Sequence, residues 1–251
     1  DPWFDRIRAN ATCNICTASV AGNGDLQAKD LVLLSDGIAF TAVCGEKKTK
    51  VNLPIPGKFT VYNALTVLGC AMQLGISLRD AAAALKHAKG IKGRVEVVPT
   101  PGKDYTVLID YAHTPDALEN VLKTLREIAP DRELICLFGC GGDRDRSKRP
   151  EMAAIAQKLS DRIIVTSDNS RTEKTSDIMA DIKAGFDLSG RSRSLFIEDR
   201  EEAIRTAIMI AGQGATILLA GKGHETYQII GTEKRHFDER EIDTEIFENL
   251  N

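Results

Sequence analysis

From about residue 94 onward, strand-like runs alternate with helix-length amphipathic segments, and this alternation limits the possible folds more than any other feature of the chain. The runs are Thr106–Ile109, Leu134–Phe138, Ile163–Val165, Ser194–Ile197 and Thr216–Leu219, while helices fit 115–129, 150–160, 176–187, 200–211 and 239–249. Pro115 and Pro150 each suit a first helical position, where the missing N–H has no intrahelical partner to lose. Repeated β-α units close most simply as a mostly parallel sheet covered on both faces. The expected fold class is therefore α/β with a doubly wound sheet.

The first part of the chain has a different rhythm. Residues 13–53 alternate short β-type runs, Leu31–Leu34, Ile38–Val43 and Lys50–Leu53, with turn-rich stretches at 21–25 and 35–37, which reads as strands and hairpins. A helical pattern over 60–75 ends at Gly75. A second helix opens at Ser77, a good N-cap with Asp80 at the capping-box position, and Gly90 supplies a stop. The glycine-rich, charged stretch "KGIKGR" marks a boundary, placed between residues 92 and 93.

Polar motifs follow four of the later strand runs: "DYAHTPD" (110–116), "GCGGDRDRSKR" (139–149), "SDNSRTE" (167–173) and "GKGHETY" (221–227). In an open α/β sheet the C-terminal edge of the strands is where ligands bind, so a site is expected there. "GCGGDRD" fails as a dinucleotide fingerprint because Arg144 stands where GxGxxG needs its last glycine, and "GKGHE" is too short for a Walker A loop. Bare backbone N–H groups beside cations still suit an anion. A solvated basic turn fits Arg146, Lys148 and Arg149 better than it fits Arg144. Thr114 already serves as N-cap before Pro115, which leaves Asp110 and His113 free for other work. His224 also lies in a strand-end motif, whereas His87 and His236 read as surface residues. Arg144 and Arg171 can each grip a carboxylate two-pronged, and Asp168 and Glu225 can accept from an ammonium. A ligand carrying both groups, an amino acid, satisfies them all.

Composition narrows the classes further. The chain has 251 residues, 43% of them hydrophobic and 27% charged, with a net charge of −3, so neither nucleic acid nor an anionic membrane surface is an expected partner. No run is long and apolar enough to span a bilayer, and with no signal peptide visible a cytoplasmic setting is expected. Of the six cysteines, Cys13 and Cys16 form a lone CxxC, and a structural zinc needs four ligands, so no metal site is expected. Cys70 and Cys136 sit in apolar runs and read as core residues. The opening "DPWFDRIRAN" lacks an initiator methionine, from which a fragment is expected.

Taken in order, "GKFTVYNAL" (57–65), "GRVEVV" (93–98), "DYAHTPDAL" (110–118), "FGCGGDRDRSKRP" (138–150), "DNSRTE" (168–173) and "GKGHETYQ" (221–228) resemble the successive signatures of the Mur ligases. The resemblance implies that residues 1–92 are the C-terminal part of a central ATP-binding domain and 93–251 a Rossmann-like amino-acid-binding domain. It implies ATP-dependent amide formation through an acyl phosphate, with ATP and Mg2+ as cofactors and with UDP-N-acetylmuramoyl-L-alanyl-D-glutamate (the UDP-N-acetylmuramoyl-dipeptide) as the acceptor. The family's phosphate-binding loop and magnesium ligands are missing from this sequence, so no catalytic residue is expected in it and the fragment alone should be inactive. By the same resemblance Asn63 lies by the nucleotide base, Arg94 and Asp110 approach ribose and phosphates, and His113 shares their neighbourhood. Arg144, Asp168, Asn169, Ser170, Arg171, Gly221 and Glu225 match the amino-acid pocket.

Family members that use meso-diaminopimelate carry Asp-Asn-Pro-Arg, whose arginine binds the distal carboxylate. Here the motif reads Asp168-Asn169-Ser170-Arg171. Lysine has no distal carboxylate, so binding it would strand a desolvated guanidinium. Meso-diaminopimelate is therefore the expected substrate, with an L-lysine-adding homologue, another amide ligase of the superfamily and a non-catalytic amino-acid-binding module as alternatives. Ser170 gives up the fixed φ of proline, which puts the rigidity of that turn in question. A monomer is expected.

Overall fold

The computed structural model describes residues 3–20, 22–34 and 37–249. Parts of the turns expected at 21–25 and 35–37 lie outside the described residues. The chain divides into two compact units, Asp1–Lys89 and Gly90–Asn251.

The first unit begins with helix α1 (Phe4–Asn10) and a four-stranded sheet of β1 (Ala18–Ser19), β2 (Leu26–Leu34), β3 (Gly37–Cys44) and β4 (Lys47–Leu53) in that spatial order. β2, β3 and β4 are antiparallel, with a register shift between Lys29 and Val32. Helices α2 (Lys58–Gln73) and α3 (Leu78–Leu85) complete it. Val61, Leu65 and Leu68 of α2 recur at helical spacing and bury against Leu26, Phe40 and Val51 of the sheet. Ser77 caps α3 as expected, its Oγ accepting from Asp80 N at 3.1 Å. Cys70 departs from expectation. It lies on the opposite stripe of α2 with Tyr62, Asn63 and Val67, and is exposed.

In the second unit the strands are β5 (Glu96–Val98), β6 (Thr106–Asp110), β7 (Leu134–Phe138), β8 (Arg162–Val165), β9 (Ser194–Phe196) and β10 (Thr216–Ala220), in the order β5-β6-β10-β7-β8-β9. All neighbours run parallel except the edge pair β5–β6. The helices are α4 (Pro115–Ile128), α5 (Lys148–Leu159), α6 (Thr175–Lys183), α7 (Leu188–Ser192), α8 (Arg200–Ile210) and α9 (Glu239–Asn249). One sheet face, with Val107, Ile109, Ile135, Leu137, Ile164, Ile217 and Leu219, packs on Ala203, Ile204 and Ala207 of α8 and Ile246 and Phe247 of α9. The alternate residues Leu108, Cys136, Phe138, Ile163, Val165 and Leu218 are buried as well, so the opposite face is also covered. This is the doubly wound α/β arrangement expected from the strand-helix alternation.

Local chemistry sets the helix starts. Thr114 Oγ1 accepts from Ala117 N at 3.3 Å with Pro115 at the first helical position of α4, and Asp199 Oδ1 accepts from Glu202 N at 2.9 Å to open α8. Pro150 was expected to start a helix but sits third, because α5 begins at Lys148. The helix expected over 176–187 stops at Lys183. Gly185 follows, so close to the Pro150 carbonyl that a Cβ there would lie 2.2 Å from its oxygen. A two-stranded ribbon, β11 (Tyr227–Ile230) with β12 (Glu233–His236), was not anticipated. Among the described residues no helix is long and apolar enough to cross a membrane.

Candidate functional site

Because β6, β7, β8 and β10 are parallel and in register, the four polar loops that follow them leave the sheet at one edge. Tyr111, His113, Gly141, Arg144, Lys148, Asp168, Asn169, Arg171, Gly221 and Glu225 line a cleft of about 530 Å³ there. This cleft gathers Arg144, Asp168, Asn169, Arg171, Gly221, Glu225 and His113, all expected at a site from their motifs. Ser170, Asp110 and Arg94 do not line it, and Asn63 is exposed on α2 of the other unit.

The loop 168–173 is held by its backbone. Arg171 N donates to Ile229 O at 3.2 Å, and Gly142 N donates to Asn169 O at 2.9 Å. Asn169 Oδ1 accepts from Ile229 N at 2.9 Å, and Gln228 Nε2 reaches Ser167 Oγ at 2.9 Å and Asp168 O at 3.1 Å. The unforeseen strand β11 therefore supplies the rigidity that serine, in place of proline, does not. Ser170 itself is 2% exposed. Gly142 is required because a Cβ on it would lie 1.9 Å from the Ser170 carbonyl oxygen. Arg171 adopts a left-handed backbone (φ 52°), and its Nη1 donates to Gly142 O at 2.8 Å and Asn169 O at 3.2 Å. Its Nε and Nη2 have no hydrogen-bond partner among the described residues.

Arg149 reverses an expectation. It is fully buried rather than solvated, because it makes a two-pronged contact with Glu173 (2.8 and 2.9 Å) and reaches Asp181 at 2.8 Å and Gly141 O at 3.3 Å. Glu173 also accepts from Asp143 N at 2.6 Å. The Arg149 hydrogen bonds and the Asp143 N–H hold the Glu173 carboxyl down at about 2. This pair ties the loop after β7 to the loop after β8. Arg146 is exposed and paired with Asp181, and Lys148 Nζ donates to His113 O at 2.9 Å. Arg144, in contrast, is exposed, and among the described residues its side chain donates one hydrogen bond, to the adjacent Asp143 O at 3.2 Å.

Asp168 and Glu225, both expected to await an ammonium, already face one from the protein. The buried Lys222 Nζ lies 3.5 Å from Glu225 Oε2 and 3.1 Å from Asn169 Oδ1. Burial alone would raise the Asp168 carboxyl, but Lys222 and Arg200 outweigh it and bring it below the usual range. Glu225 Oε2 also accepts from Asn169 Nδ2 at 2.9 Å. Gly221, at φ 118°, passes so close to Asp168 that a Cβ would meet its Oδ2 at 2.8 Å.

Asp110, expected to be free, is not. Its Oδ2 accepts from Val95 N and its Oδ1 from Ala112 N, each at 2.8 Å. Burial raises its pKa, and those two N–H groups and Arg94 only partly offset the rise. Val95 is β-branched yet sits at φ 44°, a costly conformation that this carboxylate stabilises through its N–H. The brace sets the turn carrying Arg94, whose guanidinium lies 5.0 Å from the Tyr111 ring centroid. His113 is exposed, with Nδ1 2.9 Å from Tyr111 O.

Several residues that shape the site went unremarked in the sequence. Arg200, 1% exposed, donates to Glu239, to Ser167 O at 3.1 Å and to Ala220 O at 2.9 Å, so it joins the ends of β8 and β10 where two site loops begin. Lys222 and Glu173 lay inside quoted motifs, so their position was visible but their partners were not. Among the described residues no group of three or more His, Cys, Asp or Glu side chains is placed to hold a metal ion.

Residues 93–223 match the family described as Mur ligase, glutamate ligase domain. Over 246 residues the chain is 44% identical to a UDP-N-acetylmuramoyl-L-alanyl-D-glutamate--2,6-diaminopimelate ligase of Syntrophomonas wolfei, covering 98% of this chain and 50% of that protein. A ligase of the same name from Trichormus variabilis is 47% identical over 220 residues, 87% of this chain and 44% of the other. A solved structure of a ligase with that name superposes with a TM-score of 0.68 at 36% identity, over 98% of this chain and 50% of its own. MurF from Acinetobacter baumannii has a TM-score of 0.70 at 18% identity over 97% of this chain and 49% of its own, a likeness of fold alone. The chain spans about half the length of the curated relatives it matches.

Proposed function

Since the chain belongs to the Mur ligase family, we propose that it is the amino-acid-selecting part of an ATP-dependent amide ligase that joins meso-diaminopimelate to UDP-N-acetylmuramoyl-L-alanyl-D-glutamate. In this reading residues 93–251 form the amino-acid-binding domain and 1–92 the end of the ATP-binding domain, in a cytoplasmic monomer. Relatives that are 44% and 47% identical bear the name of that ligase, which supports the reading.

The carrying observation is Arg171. Two carbonyls hold Nη1 in the cleft wall and leave the Nε–Nη2 edge for a carboxylate. A guanidinium fixed in this way is pre-organised, so a carboxylate meets it with little further loss of entropy. Arg144 lines the same cleft and is loosely held, which suits a side chain that closes on a ligand after it arrives. Glu225 supplies the acceptor for the ammonium group. A substrate with an α-amino-acid group at its distal end satisfies the guanidinium and the carboxylate together. Lysine offers the amine without the acid.

ATP, when bound to the intact enzyme, supplies the phosphoryl group that activates the acceptor carboxylate. Arg94 and His113 are exposed and fit contacts with a nucleotide, whereas Asp110 acts behind Arg94 as a backbone brace. Magnesium finds no fitting carboxylate or histidine group among the described residues and is assigned no residue of this chain.

The test is amino-acid incorporation by the intact enzyme with meso-diaminopimelate, L-lysine and L-ornithine. Meso-diaminopimelate should be favoured over lysine by as much as ~10⁴-fold in kcat/KM, and R171A should erase most of that preference. Comparable turnover of lysine by the wild-type enzyme would overturn the assignment. So would tight unaided binding of the amino acid to this chain, the behaviour of a sensor.

A further inference from the structure

Lys222 is a wholly buried lysine in the short turn between the cleft-lining residues Gly221 and Glu225, and the proposed reaction gives it no part. A buried ammonium is tolerated only where acceptors take its three protons. Nζ finds Tyr227 O at 2.7 Å, Asn169 Oδ1 at 3.1 Å and Glu225 Oε2 at 3.5 Å, with the Tyr227 and Phe237 rings at 5.9 and 5.8 Å.

These contacts fix more than Lys222. An ammonium has no acceptor, so the Asn169 amide must present its oxygen to it, and the same oxygen takes the Ile229 N–H at 2.9 Å. The amide NH2 is thereby forced toward Glu225, where Nδ2 donates to Oε2 at 2.9 Å. The amide hydrogen bond and the Lys222 ion pair, at 3.5 Å, fall on the same oxygen of Glu225. The other, Oε1, has no hydrogen-bond partner among the described residues, and the side chain lines the cleft at 13% exposure.

We propose that Lys222 is a positioning residue for amino-acid selection, locking the Asn169 amide and turning the Glu225 carboxylate so that Oε1 alone faces the ammonium of the incoming amino acid. The inference rests on the functional reading above and deepens it. A competing role is purely structural, with Lys222 serving only to balance the buried charge of Asp168.

A double-mutant cycle on the intact enzyme separates the two roles. K222Q removes the charge but keeps hydrogen-bond donors for Tyr227 O and Asn169 Oδ1. It should raise KM for meso-diaminopimelate about tenfold or more, the loss expected for hydrogen bonds to a charged group. KM for ATP and for the UDP-linked acceptor should stay within about twofold. Because the effect runs through Glu225, adding K222Q to E225Q should raise KM by less than about twofold further. Where K222Q does not fold, K222R enters the same cycle, keeping the charge but offering a planar fork to acceptors arranged for an ammonium. An unchanged KM for meso-diaminopimelate in a folded variant would overturn the proposal, as would an equal rise in the E225Q background. Failure of the wild-type enzyme to use meso-diaminopimelate at all would instead overturn the functional reading, and this proposal with it.

Discussion

In the unit Asp1–Lys89 the buried side chains among the described residues are apolar apart from Thr60, whereas the unit Gly90–Asn251 buries Arg149, Arg200 and Lys222 along with Asp110, Asp168, Glu239 and Asp243. Both have an ordinary hydrocarbon core, so the charges are not needed to make a fold. Asp110, Asp168 and Lys222 lie where strands end and loops begin, and Arg149 and Arg200, from the starts of α5 and α8, reach those same loops. A buried charge costs several kcal/mol of desolvation and repays it only with good partners, which makes it a poor stabiliser and a strong orienting device. The contrast therefore separates residues that hold the molecule together from residues that hold the site in shape.

The largest expected effect tests that contrast directly. R200M strands Glu239 as an unpaired buried carboxylate and leaves the Ser167 and Ala220 carbonyls without their donor, and should cost about 3–5 kcal/mol. Urea unfolding measures the loss, and R200M/E239L should recover most of it. A cost below about 1 kcal/mol would mean that the interior is wetter than the burial implies. Next comes L65A in the first unit, where only packing is lost. About 2–4 kcal/mol is expected from the cavity, with no dependence on pH between 5 and 9. A clear pH dependence would show that the first unit also hides a coupled charge.

The smallest effect has the opposite sign. Both oxygens of Asp243 are buried without a hydrogen-bond partner among the described residues, and burial, reinforced by Glu239 one turn earlier, pushes its carboxyl up to about 8. In the unfolded chain it titrates near its ordinary value, so between about pH 4 and pH 8 the unfolded state gives up a proton that the folded state keeps. Stability from this group is thus greatest below that window and declines as pH rises through it. D243N should raise stability by about 1–3 kcal/mol at pH 8 and by progressively less toward pH 4. Equal stabilisation at both ends would show that repacking, not charge, accounts for the change.

The same contrast explains what could be read in advance. Strand and helix alternation is a local periodic signal, so the sheet and the four loops on one edge were legible, as were the caps at Ser77 and Thr114. Burial of Arg149 was not. In the string "DRDRSKR" nothing distinguishes it from Arg146, and its partners Glu173 and Asp181 lie 24 and 32 residues away. Lys222 was likewise visible as part of a motif but not as the resident counter-ion of Asp168 and Glu225. Cys70 was misplaced because an apolar run hides which stripe of a helix meets the sheet, and its neighbours Asn63 and Val67 mark the solvent side. Tyr227–Ile230 is too short and mixed to announce a strand, yet its backbone pins the Arg171 loop.

The strand order carries a consequence for synthesis. β10 is the last strand of the six-stranded sheet to leave the ribosome, yet it lies between β6 and β7, which have no pairing with each other. Until Ala220 emerges, two apolar strands present raw hydrogen-bonding edges about a hundred residues after the first of them was made, a long-range closure that folds slowly and invites association with other chains. Nascent chains halted before residue 216 should therefore be strong clients for chaperones, and those extended past 220 much weaker ones.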